Sequence, residues 1–228
     1  MKRRRDCGGV YIWLGGTALA VNYQIILDKE LKKIADSGKR PQLLLHACCA
    51  PCSSYVLEYL SQYFDITVLF YNPNISPAHE FELRANEIRR FIRELPTEYP
   101  ISLVMGRYDT AEFAAISKGR EHLPEGGERC TECFRLRLRE SAKVAKEGGY
   151  DYFTTTLSIS PLKDATRLNE IGGQLATEFS VPYLFSDFKK RDGYKRSIQL
   201  SAEYDLYRQD YCGCIYSKRD SEIRKSGQ

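Results

Sequence analysis

Seven of the eight cysteines fall in three tight groups: Cys48, Cys49 and Cys52; Cys130 and Cys133; Cys212 and Cys214. Cys7 stands apart near the start. A chain of 228 residues is long enough to bury a core, so it has no need of the disulfide framework that holds small secreted domains together. Neighbouring Cys48 and Cys49, and the closely spaced Cys212 and Cys214, are also awkward partners for unstrained local disulfides. Thiolates at such spacings suit soft metals and iron–sulfur clusters. The bland alternative is that these cysteines are small buried hydrophobes, and three of them within five positions argues against it.

The first group lies in His46-Ala47-Cys48-Cys49-Ala50-Pro51-Cys52. A helix starting near Pro51 offers free N–H groups and a positive dipole end, which favour thiolates as they would a phosphate. Cys130-Thr131-Glu132-Cys133 places two sulfurs on one side of a helix start, with Arg129, Arg135 and Arg137 lowering the cost of negative charge. A lone CxxC suits zinc, a redox pair or a cluster. Joined to the first group it points to metal without saying which. In Cys212-Gly213-Cys214 the glycine lets the backbone turn tightly, so that both thiols can face one centre. Seven thiolates exceed the four ligands of a single zinc or a single cubane cluster, which suggests two centres and redox chemistry.

Outside the cysteines, residues 187–196 interleave five cations, among them Lys189, Lys190 and Lys195, with two aromatics, Phe188 and Tyr194. Aromatic faces that stack on unpaired bases, beside cations that meet phosphates, are the chemistry of single-stranded RNA recognition. A solvated basic loop is the other possibility. Tyr207 and Arg208 add an aromatic and a cation beside the third cysteine group. His46 borders the cysteine loop as a supporting partner or a proton donor. His79 and His122 read as structural or exposed.

These groups need a scaffold, and the pattern predicts an α/β domain. Leu43-Leu44-Leu45 reads as a buried strand, followed by a helix over 53–64 with Val56, Leu57, Leu60 and Phe64 on one face. A second strand follows over 66–71. Ser76-Pro77 then caps a helix with Phe81, Ile88, Phe91, Ile92 and Leu95 inward. A strand over 101–105, a short helix around Phe113 and Ile116, a helix over 132–147 and a strand over 152–156 come next. Ser160-Pro161 repeats the cap for a helix through Leu162, Ala165, Leu168 and Leu175; 182–185 reads as a last strand and 195–209 as a last helix. Alternation of this kind gives a doubly wound, mostly parallel sheet. Its site lies beyond the carboxyl ends of the strands, where the most unusual loop, 46–52, is placed. No GxGxxG or GxxxxGK[ST] occurs, so no phosphate cradle for ATP is expected.

The net charge of +4 permits nucleic acid without requiring it. Residues 2–5 are basic, 10–21 are largely apolar, and Ala18-Leu19-Ala20 resembles a cleavage site, the outline of a secretory signal. Gly15, Gly16 and Thr17 interrupt that run, it is too short to span a bilayer, and export would expose the thiols to oxidation. The expectation is a cytoplasmic protein with no membrane partner. It comprises an N-terminal extension, 1–21, a single domain, 22–217, and a C-terminal tail, 218–228.

Five motifs in one order, HACCAPC at 46–52, RCTECFRLRL at 129–138, FTTTLSISPLKD at 153–164, DFKKRDGYKRS at 187–197 and LYRQDYCGC at 206–214, resemble the QueH-type tRNA epoxyqueuosine reductases. That resemblance implies an adenine-nucleotide-hydrolase-like (HUP-like) α/β fold whose phosphate loop has become a cysteine loop. It implies reduction of epoxyqueuosine to queuosine at the tRNA wobble position, the last step of queuosine synthesis. It also implies a four-iron, four-sulfur (4Fe-4S) cluster beside a separately bound iron. Carried over by motif, Cys48, Cys49, Cys52, Cys130, Cys133, Cys212 and Cys214 are the ligand candidates. Cys130 and Cys133 fall to the cluster together with members of the other groups, while Cys212 and Cys214 lie nearer the single iron. Cys52 is the least secure ligand, since some members carry aspartate there. The mechanism so implied delivers two electrons from an unidentified donor through the cluster, with an open metal position acting as Lewis acid and His46 or Tyr71 as proton donor. Two rivals remain: a zinc-stabilised, non-redox tRNA-binding module, and an ATP-dependent tRNA thiolase of related fold, which would need the missing phosphate loop.

Overall fold

The computed structural model describes residues 21–227, and Cys7 with nearly all of the expected extension 1–21 lies outside them. Helix α1 (Tyr23–Ser37) was not anticipated from the pattern; Asn22 caps it by accepting from Gln24 and Ile25 N–H. There follow β1 (Gln42–His46), α2 (Ala50–Leu60), β2 (Asp65–Phe70), α3 (Ala78–Glu94), β3 (Ser102–Met105), α4 (Thr110–Ser117), α5 (Glu128–Glu147) and β4 (Tyr152–Thr155). A 3-10 turn (Thr156–Ile159), α6 (Ala165–Phe179), α7 (Gly193–Glu203) and α8 (Ile215–Ser226) complete the described chain.

The strands form one parallel sheet in the order β3-β2-β1-β4. Side chains alternate across it. Leu43, Leu45, Val68 and Phe70 pack with α1, α2 and α3, whereas Leu44, Leu69 and Phe153 pack with α5 and α6. Burial on both faces explains the unbroken apolar runs of β1 and β2. From β1 the chain winds outward through β2 to β3, then returns to place β4 on the other side of β1. The winding reverses at β1, so the crevice opens at the carboxyl ends of β1 and β4. The cysteine loop and the 3-10 turn flank it.

Several boundaries differ from the pattern. Helix α2 starts at Ala50, with Pro51 in its first turn, so Cys52 is helical rather than in the loop. Ser76 does not cap α3; Pro77 holds that position with no side-chain cap, and the Ser76 N–H donates to Gly213 O at 2.9 Å. Ser160 does not cap α6, because the 3-10 turn occupies the chain up to Ile159; Asp164 caps it instead. Leu162 is therefore left 68% exposed. The segment 182–185 makes only an isolated bridge between Tyr183 and Phe153. Helix α7 ends at Glu203 because Arg90 draws the next two carbonyls, Tyr204 O and Asp205 O, to 2.9 and 3.2 Å. Most of the segment 218–228, expected as a tail, is helix α8, which buries Ser217 and Ser221.

Candidate metal centre

Strand β1 delivers His46, and the next three residues carry the chain to α2. The Sγ atoms of Cys48, Cys49 and Cys52 all lie within 4.8 Å of one another, with Cys48 and Cys49 at 3.8 Å. Four sulfurs set tetrahedrally at about 2.3 Å from one ion stand about 3.8 Å apart. The triad thus has the spacing of a single ion with three protein ligands and one open position. Three buried thiols so close do not ionise independently. Hydrogen bonds from Cys49 and Cys52, with Lys163 and Arg137 facing it, hold the Cys48 thiol well below its usual range. The hydrogen bond to that thiolate pushes Cys49 up to about 12. The hydrogen bonds to Cys48 and Cys49 likewise push Cys52 up. A cation in their midst is what would let all three ionise.

The remaining thiols meet elsewhere in the crevice. Cys130, Cys133, Cys212 and Cys214 line one small pocket, partly open to solvent, together with Asn74, Glu125, Arg129 and Arg137. Cys212 and Cys214 thus line the same pocket as Cys130 and Cys133. Among the described residues only the triad is packed closely enough for a single ion, so the wider set of four suits a larger group. Burial pushes Cys133 up to about 12 and also raises Cys130 and Cys214.

The buried charge around these thiols is mainly positive, although Glu125 also lines the four-thiol pocket. Arg84, Arg129 and Arg137 are each 1% exposed, and among the described residues only Arg84 of the three has an ion pair, with Glu80 at 2.7 Å. Arg129 donates to the carbonyls of Arg120, Glu121 and Leu123. Among the described residues, Nη2 of Arg84, Nε and Nη2 of Arg129, and Nη1 and Nη2 of Arg137 have no partner. Unpartnered guanidinium N–H groups are costly to bury unless negative charge arrives. An all-thiolate donor set holding a metal or an iron–sulfur cluster supplies that charge, and the residues present fit it.

Helix α3 holds the third cysteine group in place. Arg84 donates to Cys212 O at 3.2 Å and faces the Tyr211 ring at 5.2 Å. Glu80 accepts from the Tyr207 hydroxyl at 3.1 Å, and Glu87 from Tyr207 N–H at 2.8 Å. Gly213 has φ +115°, and a Cβ there would meet Ile75 Cγ1 at 3.0 Å and Arg84 Nη1 at 3.1 Å. Only glycine fits that turn.

Both proton-donor candidates are engaged. His46 is fully buried. Its Nε2–H donates to Tyr71 O at 3.0 Å, so Nδ1 accepts from the Thr155 hydroxyl at 2.8 Å. Burial lowers its pKa to about 4. It carries no free nitrogen to offer a substrate and instead ties β1 to β4 and to the end of β2. The Tyr71 hydroxyl donates to Glu112 on α4, and burial pushes its pKa up. The sequence pattern missed Lys163. This half-buried side chain follows the 3-10 turn, and although burial opposes its charge, Cys212, Cys48 and Cys52 hold its pKa above the ordinary value. Its place just after a strand at the winding reversal was the available signal. His79 and His122 are exposed.

The basic segment is less free than its composition suggests. Lys189 pairs with Asp187 at 2.6 Å, Arg191 with Asp28 at 2.5 Å, and Arg196 with Glu58 and Glu203 at 2.6 and 2.7 Å. Phe188 is buried and Tyr194 half-buried. Lys190 and Lys195 are exposed. Tyr207 and Arg208 are also exposed, and Arg208 donates to Ser201 Oγ at 3.2 Å. Among the described residues no helix is long and apolar enough to cross a membrane.

A parallel α/β domain whose switch-point crevice gathers its clustered thiols defines a class of cysteine-centred α/β proteins. The family model described as epoxyqueuosine reductase QueH matches residues 43–220. The chain is 43% identical over 201 residues to the epoxyqueuosine reductase QueH of Staphylococcus epidermidis, covering 86% of this chain and 84% of that one. It is 42% identical over 201 residues to that of Streptococcus pyogenes, covering 87% and 79%. To that of Thermotoga maritima it is 34% identical over 179 residues, covering 77% and 89%. The chain belongs to the epoxyqueuosine reductase QueH family.

Proposed function

We propose that this protein reduces epoxyqueuosine to queuosine in tRNA, using an iron–sulfur cluster anchored by Cys130 and Cys133 and a single iron at Cys48, Cys49 and Cys52. The observation that carries the proposal is the meeting of all seven clustered cysteines at the switch-point crevice, beside buried Arg129 and Arg137, which form no ion pair among the described residues. Cys212 and Cys214 close the cluster cavity from the far side. Overall, epoxyqueuosine, two electrons and two protons give queuosine and water. A cluster bound there supplies electrons singly, and the second metal supplies Lewis acidity.

The chain's own residues do the rest. Arg84, Arg129 and Arg137 hold the thiol groups in a positive field. His46 fixes the loop that precedes α2. Lys163 keeps a proton at Nζ beside both thiol groups, where a leaving oxygen would need one. The epoxide end of an unpaired, splayed-out base enters the crevice, and Lys190 and Lys195 meet phosphates beside it. Tyr194, Tyr207, Arg208 and Lys189 complete the proposed tRNA face. Tyr207 and Arg208 belong to the segment bound to α3, and 187–193 packs on the 3-10 turn, Phe188 N–H donating to Ser158 Oγ at 3.4 Å, and on α2, with Gly193 against Tyr55.

The test is anaerobic turnover with dithionite as reductant and tRNA bearing epoxyqueuosine, followed by mass spectrometry of the nucleoside. Loss of one oxygen atom is expected; unchanged substrate with an intact cluster would reject the activity. A Lys190→Ala, Lys195→Ala variant is expected to keep its iron. The slope of its log affinity against log salt should fall by about 1.4, from about 0.7 per lost single-strand phosphate contact. Affinity for all substrate tRNAs should drop alike, because such contacts position without reading sequence. An unchanged slope places the tRNA elsewhere.

A further inference from the structure

Three buried arginines surround the thiols, and they are not equivalent. Arg84 is neutralised by Glu80 at 2.7 Å and bound to Cys212 O. Arg129 spends Nη1 on three carbonyls of the 120–123 loop, at 2.5 to 3.2 Å, and lies under the Tyr216 ring at 4.3 Å. These contacts hold both side chains, although Arg84 Nη2 and Arg129 Nε and Nη2 also lack a partner among the described residues. Arg137 is held least: its guanidinium lies 5.8 Å from the Phe134 ring. Its one hydrogen bond runs from Nε to Cys133 O, a turn earlier on its own helix, at 3.1 Å. Both Nη atoms are buried without a partner, and the residue forms no ion pair among the described residues, although it is 1% exposed. It lines the four-thiol cavity, and the charges that face it are those of Cys133, Cys212, Cys48 and Cys130. Arg137 therefore stands between the two thiol groups with both arms uncommitted.

We propose that Arg137 sets the reduction potential of the iron–sulfur cluster, through the two guanidinium arms that the protein itself leaves without partners. The proposal rests on the iron–sulfur assignment above. Hydrogen-bond donation toward cluster sulfurs and a fixed positive charge both favour the form carrying one more electron, and so raise the potential. The step tuned is transfer of one electron from an external reductant to the cluster. No bond forms, and Arg137 keeps its proton throughout, since a guanidinium does not deprotonate in proteins. The planar fork matters as well as the charge, because lysine presents a point charge on a flexible stem.

The test is a dithionite titration of the whole protein, purified anaerobically, with redox mediators and with electron paramagnetic resonance as the readout. Wild type is compared with Arg137→Met and Arg137→Lys. At a fixed potential Arg137→Met should show about a tenfold lower ratio of reduced to oxidised cluster, a shift of about 59 mV for a one-electron couple. Its iron-to-sulfide ratio should match wild type. Arg137→Lys should fall between the two. A Met variant with intact cluster and the wild-type potential overturns the proposal. Should the Met variant assemble no cluster, the Lys variant decides: a lowered potential supports the role and an unchanged one overturns it. Wild-type protein holding zinc and no sulfide would overturn the iron–sulfur assignment and this proposal with it, and is read before any variant is made.

Discussion

Replacing Cys133 with alanine is expected to strip the protein of cluster iron and to lower the rate of epoxyqueuosine reduction by more than about 100-fold, since even an outer contact to a metal site is worth 10–100-fold. Among the described residues Glu125 is the one carboxylate that lines the pocket, and Cys133 is buried with Phe113 and Cys214. Cys130 should behave alike, because both thiols project from the first turns of α5. The competing explanation is that Cys133 is only a small buried hydrophobe. Removing its sulfur would then cost about 1 kcal/mol of packing, and iron and turnover would survive. Iron and sulfide per chain, measured beside turnover and circular dichroism, separate the two. Full iron content in a folded Cys133→Ala protein would rule out cluster ligation by this residue.

Arg84→Met should be the most damaging substitution away from the thiols, with a loss of about 3–5 kcal/mol. The Glu80 carboxylate is 4% exposed, and the substitution would leave it without its guanidinium. At about 2–4 °C per kcal/mol for a chain of this size, the melting temperature should fall by about 10 °C. Cys212 O and the Gly213 turn would also lose the side chain against which they are set, so iron retention should drop too. Removing both charges is gentler than removing one, because the cost comes from the charge left behind. Glu80→Gln combined with Arg84→Met is therefore expected to recover part of the melting temperature. Thermal unfolding of the single and double variants under anaerobic conditions is the check. A single variant as stable as wild type would show that the pair contributes nothing.

The framework was legible where physics is local. The apolar runs at Leu43-Leu44-Leu45 and Ile66-Thr67-Val68-Leu69-Phe70 could only be strands covered on both faces, and α3 and α5 declared themselves by periodicity. The cysteine groups were legible because thiols at such spacings have few other uses. What escaped depended on tertiary structure. Helix α8 is mostly polar and buries only two serines, so it has no apolar stripe to read. Arg84 looks like a surface cation in a sequence, and Arg129 and Arg137, read there as cations beside the second thiol pair, gave no sign of being buried, because charged residues are seldom buried unless paired. Their burial follows from thiols brought together by strands far apart in the chain. The same long-range folding pairs Lys189 with Asp187 and Arg191 with Asp28, which thins out a segment that composition alone presents as a basic strip. His46 was placed correctly beside the loop, but its partners, Thr155 on β4 and Tyr71 O after β2, exist only once the sheet is assembled.

Iron, sulfide and zinc analysis of wild-type protein purified without oxygen tests the central claim most directly. The expected result is a brown protein with a broad absorbance near about 400 nm, about four sulfides and about five irons per chain, and little zinc. A colourless protein with stoichiometric zinc and no sulfide would contradict it, and would leave the thiols as the ligands of a structural metal.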